Sequence, residues 1–137
     1  MKLLTEALRA ALVANAAASL AAEAREARYD PVPVLKLFNP IGAATWLATE
    51  LYDDGDTLFG LADLGFGCPE LGTFSLAEIA AVRLPFGLGI ERDLAFSTTV
   101  ALSVWADTAR RAGSIPMAQQ HLDRAAPDRA ANDLSAD

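Results

Sequence analysis

The sequence predicts an α+β fold: an antiparallel sheet of four or five strands packed against N- and C-terminal helices, with one short capped helix at the sheet edge. Three observations predict it. Apolar residues recur at helical spacing near both ends of the chain, short apolar or alternating runs lie between them, and the runs are separated by Gly, Pro, Asn and Asp.

The first helix is expected from Thr5 to about Glu26, with Thr5 as its cap and Asn15 as the point where it would end early or bend. Leu4, Leu8, Ala11 and Leu12 fall on one side of it, while its many alanines favour helix and bury little area. Tyr29-Asp30-Pro31 ends the pattern, because proline disfavours helical geometry in the residue before it. Val32 to Phe38 then reads as a strand and Asn39-Pro40-Ile41-Gly42 as a turn.

Ala43 to Tyr52 suits a helix on propensity alone. We assign it as a strand, because the hairpin signal Asp53-Asp54-Gly55-Asp56 follows and Leu58 to Ala62 supplies a partner of similar length. Gly65, Gly67 and Pro69 mark a turn around Cys68, and Glu70 to Phe74 is the next strand. Ser75-Leu76-Ala77-Glu78 has capping-box spacing and predicts a short helix to about Arg83. Leu84 to Gly89 reads as loop and Ile90 to Phe96 as an edge strand. Thr98 or Thr99 introduces a second long helix that turns Leu102, Trp105 and Ala109 inward and stops at Gly113. Residues 1–115 form one domain around one core in this reading, and residues 116–137, lacking large apolar groups, form a disordered polar tail.

Composition narrows the function classes. A formal charge of −7 with scattered basic residues opposes direct nucleic-acid binding, which draws on clustered Lys and Arg. A single cysteine, Cys68, excludes an intrachain disulfide and agrees with a cytoplasmic location. The one histidine, His121, is far from it, so neither a Cys/His metal cluster nor a Cys/His nucleophilic pair is expected. Glu6 and Arg9 interrupt what would have to be the apolar part of a signal peptide, and no run is long enough to span a membrane. Gly65-x-Gly67 lacks the ending of a phosphate loop, so no cofactor is expected.

One set of segments resembles a known family. It comprises Val34-Leu35-Lys36-Leu37-Phe38-Asn39-Pro40, Ala44-Thr45-Trp46-Leu47 with Glu50-Leu51, Phe59-Gly60-Leu61-Ala62-Asp63-Leu64-Gly65 and Pro69-Glu70-Leu71-Gly72. Ser75-Leu76, Glu91-Arg92-Asp93 and Leu102-Ser103 extend it over roughly residues 3 to 115. In this order the segments resemble DUF2958, a bacterial family of unknown function. The resemblance implies an accessory protein of plasmids, phages and other mobile elements, often encoded near anti-restriction or plasmid-maintenance genes. It implies no catalytic residues.

The residues that need explaining are charged or aromatic. Lys36 sits within a hydrophobic strand, either as an edge lysine or as the inward partner of an acid. Glu91 and Asp93 share one face of a strand and Arg92 takes the other. Trp46 is read chiefly as core. Together with Glu70, these residues are the candidates for an interaction surface. The leading expectation is an interaction module of a mobile element that is not an enzyme and blunts a host defence complex, anti-restriction or anti-CRISPR, by meeting a basic protein surface with an acidic face. The alternative is a small carboxylate-based metal-dependent enzyme or cation-binding protein with Glu50, Asp63 and Glu70 as oxygen ligands. Against that stands a plainer role, in which Asp63 and Glu70 accept backbone hydrogen bonds that fix the turn between them.

Overall fold

The computed structural model describes residues 2–136, with side chains described over residues 2–125. Helix α1 (Glu6–Ala24) leads into β1 (Leu35–Phe38), β2 (Thr45–Leu51), β3 (Thr57–Asp63) and β4 (Glu70–Ser75). A short helix α2 (Leu76–Ala80), a two-residue strand β5 (Glu91–Arg92) and helices α3 (Leu102–Ala112) and α4 (Ile115–Ala136) complete the described chain. The five strands form one sheet in the order β4-β3-β2-β1-β5, every pair antiparallel. The α+β class and its antiparallel sheet are therefore those predicted.

One core is expected from the chain length; the sheet has one on each face. Leu12 of α1 packs with Leu35, Leu37, Trp46, Leu51 and Leu58 on one side. On the other, Leu47 and Leu61 meet Leu102, Trp105 and Ala109 of α3 and Ile115 and Ala118 of α4. Each fully buried leucine contributes about 1.5–3 kcal/mol. β2 is the central strand with helices over both faces, so all seven of its residues are buried. That double burial explains why propensity alone read the segment as helix.

Thr5 caps α1 as expected, its Oγ1 accepting from the Leu8 amide at 3.1 Å. The bend near Asn15 is absent. Asn15 instead donates from Nδ2 to the Thr49 carbonyl at 2.9 Å and accepts from the Tyr29 hydroxyl at 3.0 Å, which ties α1 to β2 without breaking the helix. Gly113 closes α3 in the left-handed conformation, φ 94°, as its position predicted.

Three aspartates finish helices from distant parts of the chain. The Asp56 carboxylate accepts from the Ala77 amide and the Ser75 hydroxyl, both at 2.7 Å, while Ser75 Oγ accepts from Glu78 as half of the predicted capping box. Asp30 accepts from the Ser103 amide at 3.0 Å and from the Ser103 hydroxyl, and so caps α3. This moves the helix start from Thr98 or Thr99 to Leu102, whose own N-cap, Ala101, has no side-chain oxygen to offer. Thr98 Oγ1 accepts instead from Val100 and from the Trp105 indole. Asp63 accepts from the Ile115 amide at 2.8 Å and thereby starts α4.

Two further expectations are corrected. The edge strand predicted over Ile90 to Phe96 shrinks to Glu91–Arg92, because Asp93 turns the chain by accepting from Ala95 with its side chain and from Phe96 with its carbonyl. The polar tail predicted from residue 116 begins as helix: α4 runs Ile115–Ala136, with Ile115 and Ala118 in the core and Leu122 packed against it. Those three positions share one helix face and supply the apolar stripe that the tail's composition concealed. The side chains of residues 126–137 lie outside those described.

Candidate functional site

The most promising concave surface lies where α1 crosses the end of β2, a cavity of roughly 410 Å³. One wall is α1, which contributes Val13, Ala17, Ser19, Leu20 and Glu23. The other is the run Glu50 to Asp53, where β2 passes into its hairpin turn. Val13 and Leu20 are exposed apolar groups, 47% and 68%, and give the cavity a greasy wall. A cavity of this size with mostly apolar walls and a few polar groups is typical of a ligand site.

Glu50 sits at its base, 7% exposed. Desolvation pushes its carboxyl above the usual range, opposed in part by a hydrogen bond with Ser19. Desolvation and then the Glu50 charge raise the hydroxyls of Tyr29 and Tyr52. Among the described residues the ion pairs are Lys36 with Asp93 and Arg110 with Asp107, and neither includes Glu50. Among the described residues the groove is lined by three carboxylates, Glu23, Glu50 and Asp53, and by no basic one. It offers negative charge in an apolar setting, where an incoming cation interacts more strongly than it would in water.

A raised carboxyl carries a stability consequence. The stability associated with Glu50 is fully present below the ordinary carboxyl range and is lost as the pH rises through the raised value. Glu50→Gln should therefore melt above the native protein at about pH 7 and lose that advantage near about pH 4. A native protein that melts above the variant at neutral pH would contradict the assignment. Asp30 has the opposite sign: hydrogen bonding to Ser103 lowers its carboxyl despite some desolvation, so its contribution is present above the ordinary value and fades as the pH falls through the lowered one.

The residues singled out from sequence do not meet at this groove, Glu50 apart. Trp46 is core, 8% exposed. Lys36 is on the inner strand β1, which rules out the edge-strand reading, and its ammonium lies 3.3 Å from Asp93 Oδ2 and donates to Gln119 Oε1 at 2.6 Å. Lys36, Arg92 and Asp93 share a shallow depression of roughly 200 Å³. Arg92 donates there to the Lys2 carbonyl at 2.7 Å, while Glu91 stands opposite Phe38 on the neighbouring strand. The Asp93 charge is thus balanced by Lys36, and the expected acidic face is not assembled from these residues.

Glu50, Asp63 and Glu70 are also kept apart. Asp63 pairs with Thr45 and Glu50 lies five positions further along β2, roughly 15 Å away. Glu70 pairs with Ala62, so it and Asp63 point to opposite faces of the sheet. Asp63 follows the plainer reading, accepting from Gly65 at 2.9 Å as well as from Ile115, whereas Glu70 is exposed beside Phe66 and Cys68. Among the described residues no three His, Cys, Asp or Glu side chains converge as metal ligands would. None of the described helices is long and apolar enough to cross a membrane.

Sequence reasoning missed Ser19, Glu23, Tyr29, Tyr52 and Asp53. The available signal was Val13 and Leu20, apolar positions off the inward stripe of α1.

A protein-family model matches residues 3–116: protein of unknown function DUF2958. No curated protein and no solved structure matches the chain.

Proposed function

Since the chain belongs to the DUF2958 family of proteins of unknown function, we propose a role from the groove itself: a binding module that holds a basic, amphipathic segment of another protein between α1 and the end of β2. One observation carries this reading. Glu50 is a buried carboxylate with no cationic partner in its cavity among the described residues, with Glu23 and Asp53 beside it and an apolar wall of Val13 and Leu20 opposite. A lysine or arginine on an apolar peptide face would supply the missing charge and cover the wall together. The acidic surface expected from sequence is thereby relocated from Glu70, Glu91 and Asp93 to this groove. In the setting that the resemblance implies, the partner is a basic host protein in the cytoplasm, such as a component of a restriction or CRISPR complex, met by an accessory protein of a mobile element.

The test is a titration of isotopically labelled protein with a short Leu/Lys amphipathic peptide, followed by amide chemical shifts. A Leu/Glu peptide of the same length serves as control. The Lys peptide should perturb Val13, Leu20 and Tyr52, and its affinity should fall about tenfold on raising salt from about 50 to 500 mM and again in Glu50→Gln. Shifts centred elsewhere, or equal binding of the Glu peptide, would refute the reading.

A further inference from the structure

Helix α1 is apolar on two opposite sides. Leu12 and Ala22 face the sheet and are buried. Ala10, Val13, Ala14, Ala17, Leu20 and Ala21 form a stripe on the far side, exposed throughout. From residue 10 to residue 22 the helix carries no charged side chain, although half its circumference faces solvent. Surface helices ordinarily place charge on that half, and a helix apolar all round is one that has neighbours all round. Among the described elements, α1 packs chiefly on β2, with Leu12 reaching the neighbouring strands, and its outer stripe stays exposed.

The spacing of the stripe says what covers it. Ala10, Val13, Ala17 and Leu20 follow one another at intervals of three, four and three residues, the repeat of a helix-pairing seam. Its charges lie just beyond the apolar run on one flank, Arg9 at the start and Glu23 at the end, seven plus seven positions apart and hence on the same side. An antiparallel copy of the same helix sets Arg9 of each chain beside Glu23 of the other. It also places each large residue over a small one, Leu20 against Ala10 and Val13 against Ala17 of the second copy. A parallel copy would set large residues against large ones and put the two Arg9–Glu23 flanks on opposite sides of the seam, where they form no such pair.

We propose that the outer face of α1 pairs with the same face of a second copy of this chain, antiparallel about a twofold axis passing between Ala14 and Ala17. Alanines on both sides let the helix axes approach to about 8 Å, the close end of the usual range. The contact is isologous, so each favourable charge pair occurs twice. One short helix per chain makes this a small interface, and half-dissociation is expected at roughly tens of micromolar. The dimer covers Val13 and Leu20, so a basic segment entering the groove must displace the second copy; only this last consequence rests on the function proposed above.

Sedimentation equilibrium of the full chain without peptide tests the pairing independently of that function. The native protein should approach twice the chain mass as its concentration rises through the range just given. Ala17→Glu should remain monomeric throughout with unchanged circular dichroism, since position 17 makes no core contact. Arg9→Glu and Glu23→Arg should each weaken the dimer about tenfold, and the double variant should return to within about twofold of native affinity. A native protein monomeric at several times the expected midpoint would overturn the proposal. So would a dimer that survives Ala17→Glu, or a double variant as weak as the singles.

Discussion

Gly60→Ala is expected to destabilise the fold severely. A Cβ built at Gly60 would lie 1.8 Å from the Leu47 carbonyl oxygen and 2.8 Å from Ala48 Cα. Both obstacles are backbone atoms of the central strand, so no side chain can rotate away to make room. Gly60 pairs with Ala48 at the point where the β2–β3 register shifts before Glu50, and the irregularity brings the two chains into close approach. Relief would require separating β2 from β3 in a strand buried on both faces. A cost of about 4 kcal/mol or more is expected, a large part of the 5–15 kcal/mol that holds a domain together. Gly72 is the control. It pairs with Gly60 from the edge strand β4, and a Cβ there meets nothing within 4 Å, so Gly72→Ala should change stability by less than about 1 kcal/mol. Urea titration of both variants decides the matter. A Gly60→Ala protein as stable as Gly72→Ala would show that the close approach relaxes at little cost.

The second large effect is expected at Asp63. Its side chain is 1% exposed, with one oxygen accepting from Gly65 in the turn and the other from Ile115 at the start of α4. Asp63→Ala leaves both amides without this acceptor, and the one at Ile115 is buried. A loss of about 3 kcal/mol follows from an uncapped helix and a stranded buried donor. Asp63→Asn keeps one oxygen and should lose roughly half as much, because it still accepts one bond but no longer places negative charge at a helix N-terminus. Asp53→Ala, in an exposed turn, is the comparison. Equal stability of the Asp53 and Asp63 alanine variants in urea would exclude the capping role.

The fold was legible wherever local chemistry decided the structure. Thr5, the Asp53 to Asp56 turn, Ser75 and Gly113 act on their own neighbours, and each stands where it was read. It was illegible where a residue acts at long range. Nothing near Ala101 in the chain announces that Asp30 will cap its helix, and nothing near Ile115 points to Asp63. The tail failed for a related reason: Ile115, Ala118 and Leu122 are a weak apolar stripe alone and become core only once the sheet offers Leu47 and Leu61. For the candidate site, Glu50 was identified with the wrong companions. Two-residue alternation places side chains on faces but gives no hint that Ser19 and Tyr29 will arrive beside it from α1 and the segment after it. Lys36 and Asp93 were read more closely, since a lysine inside an apolar strand demands a counter-charge wherever the chain can bring one.

The long-range aspartates also set the order in which this chain can fold. Asp56, Asp63 and Asp30 reach across 21, 52 and 73 positions to the amides they hold. Until the sheet exists, α2, α3 and α4 each begin with open amides, and short helices so exposed are marginal in water. The hairpin of β2 and β3, closed by a four-residue turn, has the shortest loop to close and is the natural nucleus. The helices of the C-terminal half gain their long-range caps only as the strand ends arrive, and a fragment carrying them without the sheet keeps only the local serine caps, Ser75 for α2 and Ser114 for α4.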